Sequence, residues 1–100
     1  METFGEYIRQ LRIKADLPLR KIAAQLDIDS SILGRIERNE RKANKELIAK
    51  MATIYNQDEK DLFNRFLSDR IAYKIIEENA DINILKVAEQ KVEYLKSKKK

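Results

Sequence analysis

The sequence contains no cysteine and no histidine. The first absence excludes disulfides, thiolate metal sites and cysteine nucleophiles. The second removes the commonest general base and the commonest transition-metal ligand. A hydrolase would have to work with Asp, Glu, Ser, Lys and Tyr alone, and no cluster of these has a catalytic spacing. Gly5 and Gly34 are the only glycines, so there is no glycine-rich phosphate loop. Pro18 is the only proline, and helices are expected to dominate. No apolar run approaches the roughly 20 residues that span a bilayer. Met1-Glu2-Thr3-Phe4 has no basic stretch followed by an apolar run, so no signal peptide is expected. These absences lead to the expectation of a cytoplasmic protein that is not an enzyme, with no cofactor, no metal and no membrane partner.

What is present is apolar enough to fold and highly charged. Of the 100 residues, 43% are hydrophobic and 38% are charged, which suits small helices with charged outer faces. At this length folding buries only about 60–65% of the surface, so helices beyond a first core need a partner for their apolar faces. The net charge of +4 is modest but unevenly spread. From Arg35 to Lys45, five basic residues (Arg35, Arg38, Arg41, Lys42, Lys45) stand against two acidic ones (Glu37, Glu40). Such a patch suits a phosphate backbone, or is the ordinary charge of a solvated loop. Lys96, Lys98, Lys99 and Lys100 form a second basic run, which reads as a frayed, solubilising end.

Apolar spacing predicts six helices. The first covers about Thr3 to Ala15, with Thr3 and Glu6 at capping-box spacing and Phe4, Ile8, Leu11 and Ala15 on one face. Asp16-Leu17-Pro18 breaks it, because a proline disfavours the helical conformation of the residue before it. The second runs from Leu19 to Leu26 and the third from Ser30 to Arg38, with Asp29 as its cap. After a polar loop, a fourth covers Lys45 to Tyr55, with Asn44 as cap. A fifth covers about Asp58 to Asn79 and a sixth about Ile82 to Lys96, where Leu85, Ala88, Val92 and Leu95 make one face.

Two short helices joined by a tight turn, the second of them polar and capped, match a helix-turn-helix. The stretch Ile8 to Leu62, with its central run LPLRKIAAQLDIDSSILGRIERNER, resembles the phage repressor and Cro type of helix-turn-helix domain, the Xre family. The resemblance covers about residues 3–66. Its most specific parts are Ile22-Ala23, Leu26-Asp27-Ile28-Asp29 and Ile36-Glu37-Arg38.

The resemblance implies that the third helix lies in the DNA major groove, with Ser30, Ser31, Gly34 and Arg35 at the base-contact positions. Arg35 can grip guanine O6 and N7 in a bidentate contact worth about 1–3 kcal/mol of discrimination. Plain alternatives stand beside these roles: capping for the two serines and close helix packing for Gly34. Arg38, Asn39, Arg41 and Lys42 fall where the family grips phosphates. Lys45 opens the next helix, and Arg20 and Lys21 start the helix that crosses the backbone. The resemblance also implies that Glu37 turns inward to pair with Arg12 of the first helix, a structural ion pair. The sequence departs from the family pattern at Pro18, where a capping Ser or Thr is usual, and at Leu19, where a polar DNA contact is usual. Asp27 and Asn39 stand where glycine is usual, and Ala43 where proline is common.

Residues 67–100 extend past the resemblance. Their apolar positions, Ile71, Ile75, Ile76, Leu85, Val92 and Leu95, exceed what a small domain needs to cover itself. They can pair two copies of the chain, fold back on their own domain, or hold another protein; pairing is the favoured expectation.

The expected fold is all-α: a five-helix repressor-like helix-turn-helix domain over 1–66 and a C-terminal amphipathic helical extension over 67–100. The expected function is a homodimeric transcription regulator that binds a palindromic double-stranded DNA operator and represses. The alternative is an antitoxin or restriction–modification controller whose C-terminal helices bind a partner protein.

Overall fold

The computed structural model describes residues 1–99; Lys100 of the basic tail lies outside the described residues. Six helices form where apolar residues recur at three- and four-residue intervals: α1 (Phe4–Lys14), α2 (Leu19–Leu26), α3 (Ser30–Glu37), α4 (Lys45–Ile54), α5 (Glu59–Glu77) and α6 (Ile84–Ser97). No strand occurs among the described residues, and the fold is all-α as expected. None of these helices is long and apolar enough to cross a membrane.

The helix starts follow the capping residues in the sequence. The Glu6 N–H donates to the Thr3 hydroxyl at 3.2 Å, and the Thr3 N–H donates to the Glu6 carboxylate at 2.8 Å, a complete capping box. The Leu47 N–H donates to the Asn44 side chain at 2.7 Å and starts α4. Asp29 stands at the cap of α3, but its side chain makes no capping bond.

The ends of α1 to α5 share one device. Asp16, Asp27, Asn39, Asn56 and Asn79 all have positive φ, between 50° and 63°. After each, the next N–H reaches back five residues, as Ile28 does to the Ala23 carbonyl at 3.0 Å and Gln57 to that of Ala52 at 2.8 Å. This is the Schellman closure, usually made by glycine. Asp and Asn serve here because their short polar side chains tolerate the left-handed region better than other L-residues do.

The chain divides into two compact units, Met1–Asp69 and Arg70–Lys100, and the division falls within α5. In the first unit α1 packs on α3, and α2 packs on α3 and α4. Ile8, Ile22, Leu33, Ile48 and Met51 are fully enclosed, and Leu62 of α5 joins them. Phe63 and Phe66 pack against this core, and the Phe66 ring meets that of Phe4 edge-on at 5.5 Å. In the second unit no described residue is buried, and α6 is exposed throughout.

Candidate nucleic-acid interface

The turn between α2 and α3 is built by Asp27, whose left-handed backbone ends α2 and lets Ile28 tuck against the core. Ile22, Ala23 and Leu26 of α2 then face Leu33 and Ile36 of α3 in the same buried cluster. Burying that face of α3 turns the opposite one outward. Ser31, Arg35 and Arg38 follow at four- and three-residue spacing and are all exposed, while Ser30 is half-buried. Arg35 forms no ion pair among the described residues, so its guanidinium fork is free for a ligand.

Gly34 differs from the other three expected base-contact positions, because it is buried. A Cβ added there would lie 3.2 Å from an Arg38 guanidinium nitrogen and 3.6 Å from a Leu19 methyl. The second distance is ordinary van der Waals contact and the first is to the end of a flexible side chain, so Gly34 lies against Leu19 of α2 with room for a small side chain.

The loop after α3 carries the basic cluster. Arg38, Asn39, Arg41, Lys42 and Lys45 are exposed, as are Arg20 and Lys21 in the first turn of α2. Arg38 is held by Glu40 at 3.3 Å, whereas Arg41 and Lys42 form no ion pair among the described residues. The Lys45 ammonium sits 5.3 Å from the centre of the Phe63 ring. Asn39 has an inward task. Its amide NH2 donates to the Thr3 hydroxyl at 2.7 Å, and its carbonyl accepts from the Gly5 N–H at 3.2 Å. Each end of that amide thus engages the start of α1, while Asn39 stays exposed beside its cationic neighbours.

Arg12 and Glu37 form a bidentate pair at 2.8 and 3.0 Å, and the remaining Arg12 nitrogen donates to the Leu17 carbonyl at 3.1 Å. Glu37 is 4% exposed and Arg12 only 14%. The hydrogen bonds to Glu37 raise the Arg12 pKa above its ordinary value, with burial opposing. The pair clamps α1 to α3 and removes the one carboxylate of α3 from the outward face. The neighbouring Tyr55 hydroxyl is buried without a hydrogen-bond partner. Burial first, and the Glu37 charge second, push its pKa up to about 12.

Three positioning residues had gone unmarked in the sequence. Gly5 lets α1 approach the end of α3 so closely that a Cβ would lie 2.5 Å from the Ile36 carbonyl oxygen and 2.7 Å from that of Glu37. Its signal was available: a helical glycine in a chain with only two implies a packing reason. Asp69 accepts from the Phe4 N–H at 2.8 Å, and Gln57 accepts from the Tyr7 hydroxyl at 2.9 Å. These are long-range polar contacts, which no local spacing announces.

A helix-turn-helix family model matches residues 8–62, more than half of the chain. No curated protein and no solved structure is similar enough to the chain to count as a match.

Proposed function

The chain belongs to the Xre/Cro-type helix-turn-helix family of DNA-binding transcription regulators, and on that premise we propose that it is a homodimeric repressor of a palindromic operator. The observation that carries the reading is the exposed row Ser31, Arg35 and Arg38 on α3, flanked by unpaired cations of the following loop. In this reading Arg35 reads a guanine, and Ser30 and Ser31 meet bases or phosphates at the start of α3. Arg20, Lys21, Arg38, Arg41, Lys42 and Lys45 neutralise backbone phosphates. Gly34, which has no side chain, lets the α3 backbone come close to a base edge or to Leu19 of α2. Two copies present their α3 helices about one helical turn apart, and occupancy of the site blocks a promoter.

The test is fluorescence anisotropy on DNA from upstream of the protein's own gene against a scrambled duplex, at two salt concentrations. A preference of about 1,000-fold or more supports specific operator binding. Equal, weak binding to both duplexes counts against the own promoter as target. Arg35→Ala is expected to cost about 1–3 kcal/mol on the operator and to relax selectivity at one base pair. Arg41→Ala is expected to weaken binding to every sequence and to lower the salt slope by about 0.9. Equal losses on operator and random DNA for both variants would sink this division of roles.

The exposed apolar face of α6 also favours a second reading, an antitoxin or restriction–modification controller that holds another protein there. A purified chain that stays monomeric while still binding its operator would shift support to that reading.

A further inference from the structure

Four apolar residues of α6 fall on one stripe, and Ile84, Val87 and Tyr94 are exposed beside it. Leu85, Ala88, Val92 and Leu95 follow at three, four and three residues and lie on one stripe. Leu85 is 43% exposed, Val92 50% and Leu95 56%. The same spacing carried outward reaches Asp81 before the helix and Lys99 after it. Both lie just outside the helix, each next to a turn. The Ile84 N–H donates to the Asp81 carbonyl at 3.0 Å, the Asn83 N–H donates to the Asp81 carboxylate at 2.8 Å, and the Lys99 N–H donates to the Lys96 carbonyl at 3.2 Å. The stripe of four apolar residues is therefore flanked by an acid before the helix and a base after it.

We propose that α6 pairs with α6 of a second copy in antiparallel orientation, about a two-fold axis passing close to Gln90, an inference that rests on the homodimer reading. In this register Leu85 faces Leu95 of the second copy, Ala88 faces its Val92, and Asp81 faces its Lys99. Each contact occurs twice, as a two-fold interface requires.

Charge and volume both select this orientation. A parallel pairing brings Asp81 against Asp81 and Lys99 against Lys99, whereas the antiparallel one makes two opposite-charge ends. A parallel pairing also sets Ala88 against Ala88 and leaves a thin layer. The antiparallel one sets the small side chain against a larger one, which evens the packing. Glu89 and Lys91 each approach their own copy near the axis. Both are exposed and long enough to splay into water.

Because the chain has no cysteine, the register can be read by single introduced thiols. Ala88→Cys and Val92→Cys are prepared separately, then tested alone and mixed under mild oxidation on a non-reducing gel. The expected result is a shift to twice the chain mass in the mixture and little in either variant alone, since a disulfide needs Cα atoms closer than about 7 Å. Leu85→Cys mixed with Leu95→Cys repeats the test at a second layer. Cross-linking of Ala88→Cys alone as strongly as in the mixture would overturn the antiparallel register. Light scattering on the untreated protein separates the two levels of failure. A dimeric mass without the mixed cross-links overturns this register and leaves the homodimer standing, while a monomeric mass overturns both.

Discussion

Apart from Met1, Ile13 and Leu67, residues 1–69 keep their large apolar side chains buried or half-buried, whereas most of those after Asp69 are exposed. Ile8, Ile22 and Leu33 are fully enclosed, whereas Ile71, Ile76, Val92 and Leu95 are each at least half exposed. The sequence pattern is the same in both regions, apolar residues at three- and four-residue spacing. Periodicity thus reports that a helix has an apolar face, not what covers it. In the first unit the cover is supplied by neighbouring helices. In the second it is missing, which is why substitutions should act on folding in one region and on association in the other.

The contrast is sharpest at the α1–α3 clamp. Glu37→Ala leaves Arg12 without its partner and is expected to cost about 3 kcal/mol, the lower end for a buried pair because Arg12 keeps an edge in water. Urea titration measures it, and a loss below about 0.5 kcal/mol, the scale of ordinary surface substitutions, would erase the distinction between the two regions. Next in size is Gly5→Ala. Overpacking against carbonyls that cannot swing aside is expected to cost about 1–3 kcal/mol, against a slight gain for the same change on an open helix surface. An unchanged melting temperature would show that α1 and α3 can part freely.

Val92→Asp probes the other side. Amide-exchange protection of Ile22, Leu33 and Ile48 should stay unchanged, while the mass by light scattering should fall to that of one chain and operator binding should weaken. Loss of core protection would mean that the second unit supports the first.

The smallest effect belongs to Tyr55→Phe, which removes a buried hydroxyl without a partner and is expected to gain up to about 1 kcal/mol. The sign of its pH dependence follows from linkage. The folded pKa lies near 12 and the ordinary one at 10.0, so the unfolded chain releases the proton first as pH rises. The tyrosine's contribution is constant below about pH 10 and declines toward pH 12, and the phenylalanine variant should lack that decline. Parallel stability curves for the two proteins through that window would contradict the burial of the hydroxyl.

Much of the architecture was legible because it is written in local spacing. The bounds of α2 could be read from Pro18 and the Asp27 turn, and the capping box from Thr3 and Glu6. Helix ends expected at Ala15, Arg38 and Tyr55 fall one residue earlier, and α5, expected to reach Asn79, stops at Glu77. At α1, α3 and α5 the Schellman closure uses the last residues for the turn. Ser31 and Arg35 are placed by their positions in the family motif, and both are exposed. Gly34 and Asn39 were harder, since Gly34 is buried against Leu19 and Asn39 bonds to Thr3 and Gly5, partners far away in the chain. Such residues answer to tertiary neighbours, which a one-dimensional pattern does not contain.

The left-handed Asp and Asn residues at the helix ends have a further consequence. Each is held in a conformation that glycine adopts without steric cost. All but Asn39, whose amide ties the loop to α1, are exposed and could be exchanged for glycine without removing a side chain from the core. Four helix ends are thus places where heat tolerance can be adjusted apart from the core.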